Sequence, residues 1–177
     1  DTAREHSISV LVGSDNDNFK NGIGYPGCLK GVISVSASSN TNTIWIEEDD
    51  FGSNRGTATD LFAPGDRIIS VGVNTTTFGP IIGTSFAGPH VAGAVNLLKS
   101  YNPAMTPIEV ELALERSGTP IYDQVSGADK EVYPRLKLTN AFGMYDWSTY
   151  HHDNRRTGFT LLKGKIDDHD INNFDYY

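Results

Sequence analysis

One stretch of this sequence holds a side chain placed for nucleophilic chemistry: Gly83-Thr84-Ser85-Phe86-Ala87-Gly88-Pro89-His90-Val91-Ala92-Gly93. Gly83 permits a tight turn and lets another backbone come close. Beyond it Phe86, Val91, Val95 and Leu98 recur at helical spacing, which predicts a helix from Ser85 to about Ser100. Ser85 therefore stands at a helix start, where unpaired N–H groups and the positive end of the dipole collect. A serine there has two readings. It is an ordinary N-cap, or it attacks a carbonyl carbon while its own N–H faces the developing oxyanion. Position alone favours the cap.

The other candidates for chemistry are weaker. His90 follows Ser85 by five residues on the same helix, which turns it about 140° away and about a turn and a half along, out of reach of the hydroxyl. His6 precedes a strand and has no motif around it, and His151, His152 and His169 fall in a polar C-terminal stretch. His151-His152-Asp153 is a poor metal site, since adjacent histidines rarely share one ion. The acidic run at residues 47–50 reads as a solvated loop. Cys28 is the only cysteine, which excludes an internal disulfide and any multi-cysteine metal cluster. It reads as a small buried residue, not a reactive thiol. Asn74-Thr75-Thr76 matches a glycosylation acceptor, a common pattern. No metal or cofactor is expected.

The elements that must position Ser85 follow from the hydrophobic pattern. Residues 8–13, ISVLVG, form an apolar run ending in a Gly/Ser/Asp/Asn cluster, a buried strand entering a loop. Residues 14–31 read as loop, residues 32–37 as a second strand, residues 44–46 as a short third, and residues 68–73 as another, entered through Pro64-Gly65-Asp66. Small residues along the Ser85 helix predict close packing on the sheet. Asn102-Pro103 ends that helix. A second begins at Thr106, where Thr106 and Glu109 make a capping box with Pro107 in the first turn, and stops at Ser117-Gly118. Near-continuous apolar strands followed by helices predict an α/β fold with a mostly parallel sheet. A composition break near residue 145 divides the chain into residues 1–142 and a second module at 145–177.

The 177 residues carry 14 basic and 22 acidic side chains, a net charge of -8, which argues against a partner read through its phosphates. Hydrophobic residues at 38% suit a folded domain, and no apolar run is long enough to span a bilayer.

The string around Ser85 closely resembles the nucleophile motif of the subtilisin-like serine proteases of peptidase family S8, Gly-Thr-Ser-x-Ala-x-Pro-His-Val-Ala-Gly. Gly13-Ser14-Asp15-Asn16 resembles the family's oxyanion loop, usually Ala-Ala-Gly-Asn. Gly24-Tyr25-Pro26-Gly27 and Ala63-Pro64-Gly65 resemble its later turns, in matching order over residues 8–117. The resemblance implies the second half of a subtilisin-like three-layer α/β domain. It implies Ser85 as nucleophile and Asn16 as oxyanion-hole donor beside the Ser85 N–H. Gly13, Ser14 and Asp15 would line one wall of the pocket for the residue before the scissile bond, with Gly24 its floor. Asp15 replaces the family's glycine; its carboxylate either favours a basic substrate residue or faces solvent. His90 is expected to be buried and structural. Asp60 stands where some relatives hold a weakly bound cation, but the usual acidic companion is Ala58 here, so no calcium is assigned.

In this family the triad runs Asp, His, Ser along the chain. The Asp-x-Gly strand end and the His-Gly-x-His helix would both precede residue 1, and no His-Gly-x-His occurs in these 177 residues. The expected protein is therefore a serine endopeptidase acting on polypeptides, present here as a fragment. Its partner would be the missing N-terminal half of the domain, and without it the chain would be inactive. The expected compartment, by resemblance, is extracellular or the cell envelope. Two alternatives stand: a noncatalytic binding or adhesion domain on the same fold, and a two-chain enzyme cleaved before Asp1. Trp147 to Thr160 resembles the lead-in to a β-propeller blade.

Overall fold

The computed structural model describes residues 2–48, 50–71, 78–123 and 132–146. The polar stretch with His151, His152 and His169, the Asn74 sequon and the propeller-like segment lie outside them. The chain divides into two units, Asp1–Ala141 and Phe142–Tyr177.

In chain order the elements are α1 (Thr2–Glu5), β1 (Val10–Gly13), β2 (Val32–Ser38), β3 (Ile46–Glu48), β4 (Phe51–Gly52), β5 (Leu61–Pro64), β6 (Ile68–Val71), β7 (Phe78–Ile81), α2 (Thr84–Tyr101), α3 (Pro107–Ser117), β8 (Thr119–Tyr122), β9 (Val132–Arg135) and α4 (Leu138–Asp146). Five strands form one sheet in the order β1-β2-β5-β9-β8. The first three pairings are parallel and only β8 runs against its neighbour β9, so the protein is α/β with a mostly parallel sheet. Central strands covered on both faces need apolar or small side chains throughout. β2 supplies them as VISVSAS, with six of its seven residues buried.

Helix α2 lies on β1, β2 and β5. Thr84, Ala87, Val91, Ala94 and Leu98 recur every three to four residues and are its buried stripe. Its small residues divide more unevenly than expected: Ala87 and Ala94 are buried, but Ala92 and Gly93 face outward. Helix α3 starts as its sequence dictates. Thr106 accepts the Glu109 N–H, and the Glu109 carboxylate accepts the Thr106 N–H at 2.7 Å, closing the capping box.

Other expectations need correction. Ala63-Pro64 is not only a turn. Leu61–Pro64 is a central strand, with Leu61, Phe62 and Ala63 wholly buried, too short to show a period. Residues 68–71 do form a strand, but outside the main sheet: β6 pairs antiparallel with β7 as a separate ribbon. Its side chains alternate half-buried and exposed, with Ile69 and Val71 outward. Residues 47 and 48 belong to β3, in a hairpin with β4, although they are exposed as a solvated run should be. Cys28 is exposed, because the turn that packs Gly27 inward carries the next side chain out.

Candidate active site

Gly13 ends β1 directly under the start of α2. A Cβ there would stand 3.1 Å from the Thr84 hydroxyl, so the small residue lets strand and helix meet. At the helix start Gly83 is the N-cap at φ 127, a backbone that side-chain-bearing residues rarely adopt, and makes no side-chain cap. Its N–H donates to the Gly65 carbonyl at 2.8 Å, which anchors the helix entry to the turn after β5. Ser85 is therefore the second helical residue and not the cap, and it is exposed.

The cap comes from across the chain. The Thr84 N–H donates to the side-chain oxygen of Asn16 at 2.9 Å. That bond fixes which end of the amide is which and turns the NH2 group away from Thr84. Neither the Asn16 NH2 nor the Ser85 N–H has an acceptor among the described residues. Two donors thus stand beside one exposed hydroxyl at the positive end of an 18-residue helix. That arrangement suits an anion or a developing oxyanion.

Asn54 holds the Asn16 loop rigid, a role that no motif announces. Its side-chain oxygen accepts both the Asp17 and the Phe19 N–H at 2.9 Å, and its NH2 donates to Asp17 at 3.2 Å. Its backbone N–H reaches the Asp15 carbonyl at 3.0 Å, and its carbonyl accepts from Ser14 and Ser36. Gly52 N–H meets the Asn16 carbonyl at 3.1 Å. Behind these, Arg55 pairs with Asp123 at 2.5 Å, both side chains buried, and donates to Asn18 at 2.7 Å. The only local hint of Asn54 lies in the Gly52-Ser53-Asn54 run, which reads as ordinary loop.

The expected pocket residues gather on one side of this loop. Gly24 N–H donates to the Ser14 carbonyl at 3.1 Å, joining the two segments. Asp15 adopts φ 73, and its carboxylate lies over Gly24, in space a Cβ there would need. Ser14 corrects an expectation: its hydroxyl turns inward to Asn54, its N–H and carbonyl are bonded to Val35 and Gly24, and it is wholly buried, so it stands behind the segment and not on its surface.

His90 corrects an expectation: it is exposed, not buried. It falls off the buried stripe of α2, and its Nδ1 sits 2.8 Å from the Phe86 carbonyl one turn back. Among the described residues no histidine is hydrogen-bonded to Ser85.

At the opposite end of the sheet, carboxylate oxygens of Asp60, Glu111 and Glu115 lie within 4.8 Å of one another. Asp60 accepts from the Ser34 N–H at 2.7 Å, and Arg4 pairs with Glu111 at 2.5 Å. Burial, then the charges of Asp60 and Glu111, push the Glu115 carboxyl up to about 7. Glu111 and Glu115 lie one helical turn apart on α3, about fifty residues from Asp60 along the chain, and no local pattern joins them to it. Two of the three carboxylates already have partners within the chain.

A family model described as the subtilase family matches residues 1–158. The alkaline extracellular protease of Yarrowia lipolytica is 36% identical over 120 residues, 63% of this chain and 26% of that protein. The major intracellular serine protease of Bacillus subtilis is 39% identical over 87 residues, 49% of this chain and 25% of that protein. A solved protease from Pseudoalteromonas arctica superposes with a TM-score of 0.67 at 25% identity, over 81% of this chain and 44% of that one. The chain thus spans about a quarter of the two relatives and under half of the solved protein.

Proposed function

The chain belongs to the subtilase family, and from that premise we propose that it carries the nucleophile and oxyanion hole of a serine endopeptidase. Ser85 attacks the scissile carbonyl of a polypeptide. The Asn16 NH2 and the Ser85 N–H receive the negative charge that develops on the carbonyl oxygen. Gly13, Asp15 and Gly24 border the pocket for the residue before the scissile bond, with Ser14 buried behind them. The observation that supports this reading is the Thr84–Asn16 hydrogen bond, which engages the amide oxygen at the helix start and leaves the NH2 group free to donate.

A serine hydroxyl needs a base at neutral pH. We assign that role to a histidine, with its aspartate, supplied by another segment of the same protein. That segment also covers the outward face of α2, where Ala92, Gly93, Leu97 and Tyr101 are exposed, and the free edge of β1. Matched relatives bear both extracellular and intracellular names; by family resemblance we propose export. Among the described residues no helix is long and apolar enough to cross a membrane.

A fluorophosphonate probe tests the reading. The isolated 177-residue chain is expected to remain unlabelled and to cleave no peptide. The full-length protein is expected to be labelled at Ser85, mapped by mass spectrometry, and Ser85→Ala to lose both label and activity. Asn16→Ala is expected to lower turnover by about 10²- to 10³-fold, the known size of one such donor in subtilisin itself. Labelling of the isolated chain, or full activity in Ser85→Ala, defeats the proposal. A complete reading frame without the two upstream motifs favours instead a noncatalytic binding domain on this fold.

A further inference from the structure

We propose that Asp15 makes this site select a positively charged side chain, lysine or arginine, immediately before the bond to be cleaved; the inference rests on the peptidase reading above. Asp15 precedes Asn16, whose amide is held against the helix start by the Thr84 N–H. On the peptidase reading, a substrate carbonyl seated between Asn16 and Ser85 brings its own side chain to the pocket proposed beside residues 13–15 and Gly24. The Asp15 carboxylate lies there, over the Cα of Gly24, and fits only because residue 24 has no side chain.

Three further observations support a recognition role. Asp15 adopts φ 73, a left-handed backbone that glycine takes freely and that a residue with a Cβ takes at a cost. Such an outlier, held in place by its surroundings, points to function. The surroundings are explicit: Asn54 N–H holds the Asp15 carbonyl and Gly24 N–H holds the carbonyl before it. Second, the carboxylate has no hydrogen bond or ion pair among the described residues, whereas Asp17 is engaged by Asn54. Third, the neighbouring field is negative. The β3–β4 hairpin is bonded to this loop through Asn18 and Gly52 and carries Glu47, Glu48 and Asp50. Lys20 is the only basic residue between positions 13 and 24. A cationic side chain would thus find a charged acceptor and a favourable potential, while an apolar one would strip water from a carboxylate without pairing it.

Cleavage by the full-length protein of a peptide series varied only before the scissile bond provides the test. Arginine or lysine is expected to exceed leucine in kcat/KM by about 10- to 100-fold, the range for a hydrogen bond to a charged group. Asp15→Gly, which relaxes the backbone and so protects folding, is expected to abolish or invert that ratio. Asp15→Asn, which keeps the shape and the tolerance for positive φ, is expected to abolish it as well. Added salt is expected to lower the ratio in the parent protein and not in the variants. Leucine favoured by the parent, or a basic preference surviving both variants, overturns this inference and leaves the peptidase reading standing. No cleavage and no fluorophosphonate label removes the premise, and the inference with it.

Discussion

The two ends of the parallel strands solve the burial of polar groups in opposite ways. Where β1 ends, the groups are mostly neutral amides and hydroxyls. Ser14, Ser36 and Asn54 are buried and mutually hydrogen-bonded, and behind them Arg55 is paired with Asp123 and donates on to Asn18. Where β5 begins, three carboxylates crowd together with Arg4 beside one of them. A network with every buried partner satisfied holds its shape and needs no reorganisation when charge develops next to it. A cluster of like charges is eased by protonation instead. The first end is suited to hold the Asn16 amide and the helix start in fixed places; the second is expected to make stability depend on pH.

The sharpest way to break the comparison is to uncouple the buried ion pair. Asp123→Ala leaves a buried guanidinium without its carboxylate, and is expected to cost about 3–5 kcal/mol in urea unfolding. Replacing Arg55 and Asp123 together by apolar residues of similar volume is expected to recover most of that loss. If the single change is nearly silent, the pair is not the anchor of the Asn16 loop. A somewhat smaller effect is expected at Asn54. Asn54→Ala strands the Asp17 and Phe19 N–H groups, at about 2–4 kcal/mol for the two together. In the full-length protein its activity loss is expected in kcat more than in KM, because the loop that aims Asn16 loosens while the pocket lining stays. An equal rise in KM with kcat unchanged contradicts a positioning role.

Much of the site is legible in the amino-acid sequence itself. The Gly83-Thr84-Ser85 turn carries its pattern locally, and so does the Thr106–Glu109 capping box, whereas Asn16 is singled out only by the family resemblance of its loop. Periodicity reaches β2 because seven residues suffice to show it, and misses β5 because four do not. Asn54 and the Arg55–Asp123 pair escape because the residues bound across the fold, Asp17 and Phe19 by Asn54 and Asp123 by Arg55, lie 35 to 68 residues away, and nothing in a Gly/Ser/Asn run says which amide will be buried. The exposure of His90 escapes for a related reason. Helical spacing places it near the edge of the buried stripe, and only the packed sheet decides on which side the edge falls.

The smallest effect belongs to the charged end and reads it most directly. Burial and the neighbouring Asp60 and Glu111 raise the Glu115 carboxyl from 4.5 to about 7, while Arg116 and Arg4 pull the other way. Glu111 is raised as well, chiefly by burial, against the pull of Arg4. The folded state therefore holds the Glu115 proton more tightly than the unfolded chain does. Its contribution to stability is fully present below pH 4.5 and is lost as pH rises through about 7. Discounted for solvent screening at a half-buried site, the loss is about 1 kcal/mol. Glu115→Gln cannot ionise, so its stability is expected to fall less than the parent's between about pH 5 and 8. At about pH 8 the variant is expected to be the more stable of the two by that margin, and at about pH 4 the two should nearly coincide. Urea unfolding at three pH values across this window decides it. A parent whose stability is flat or rising there, or a variant with the parent's full slope, shows that the three carboxylates do not crowd one another as this geometry requires.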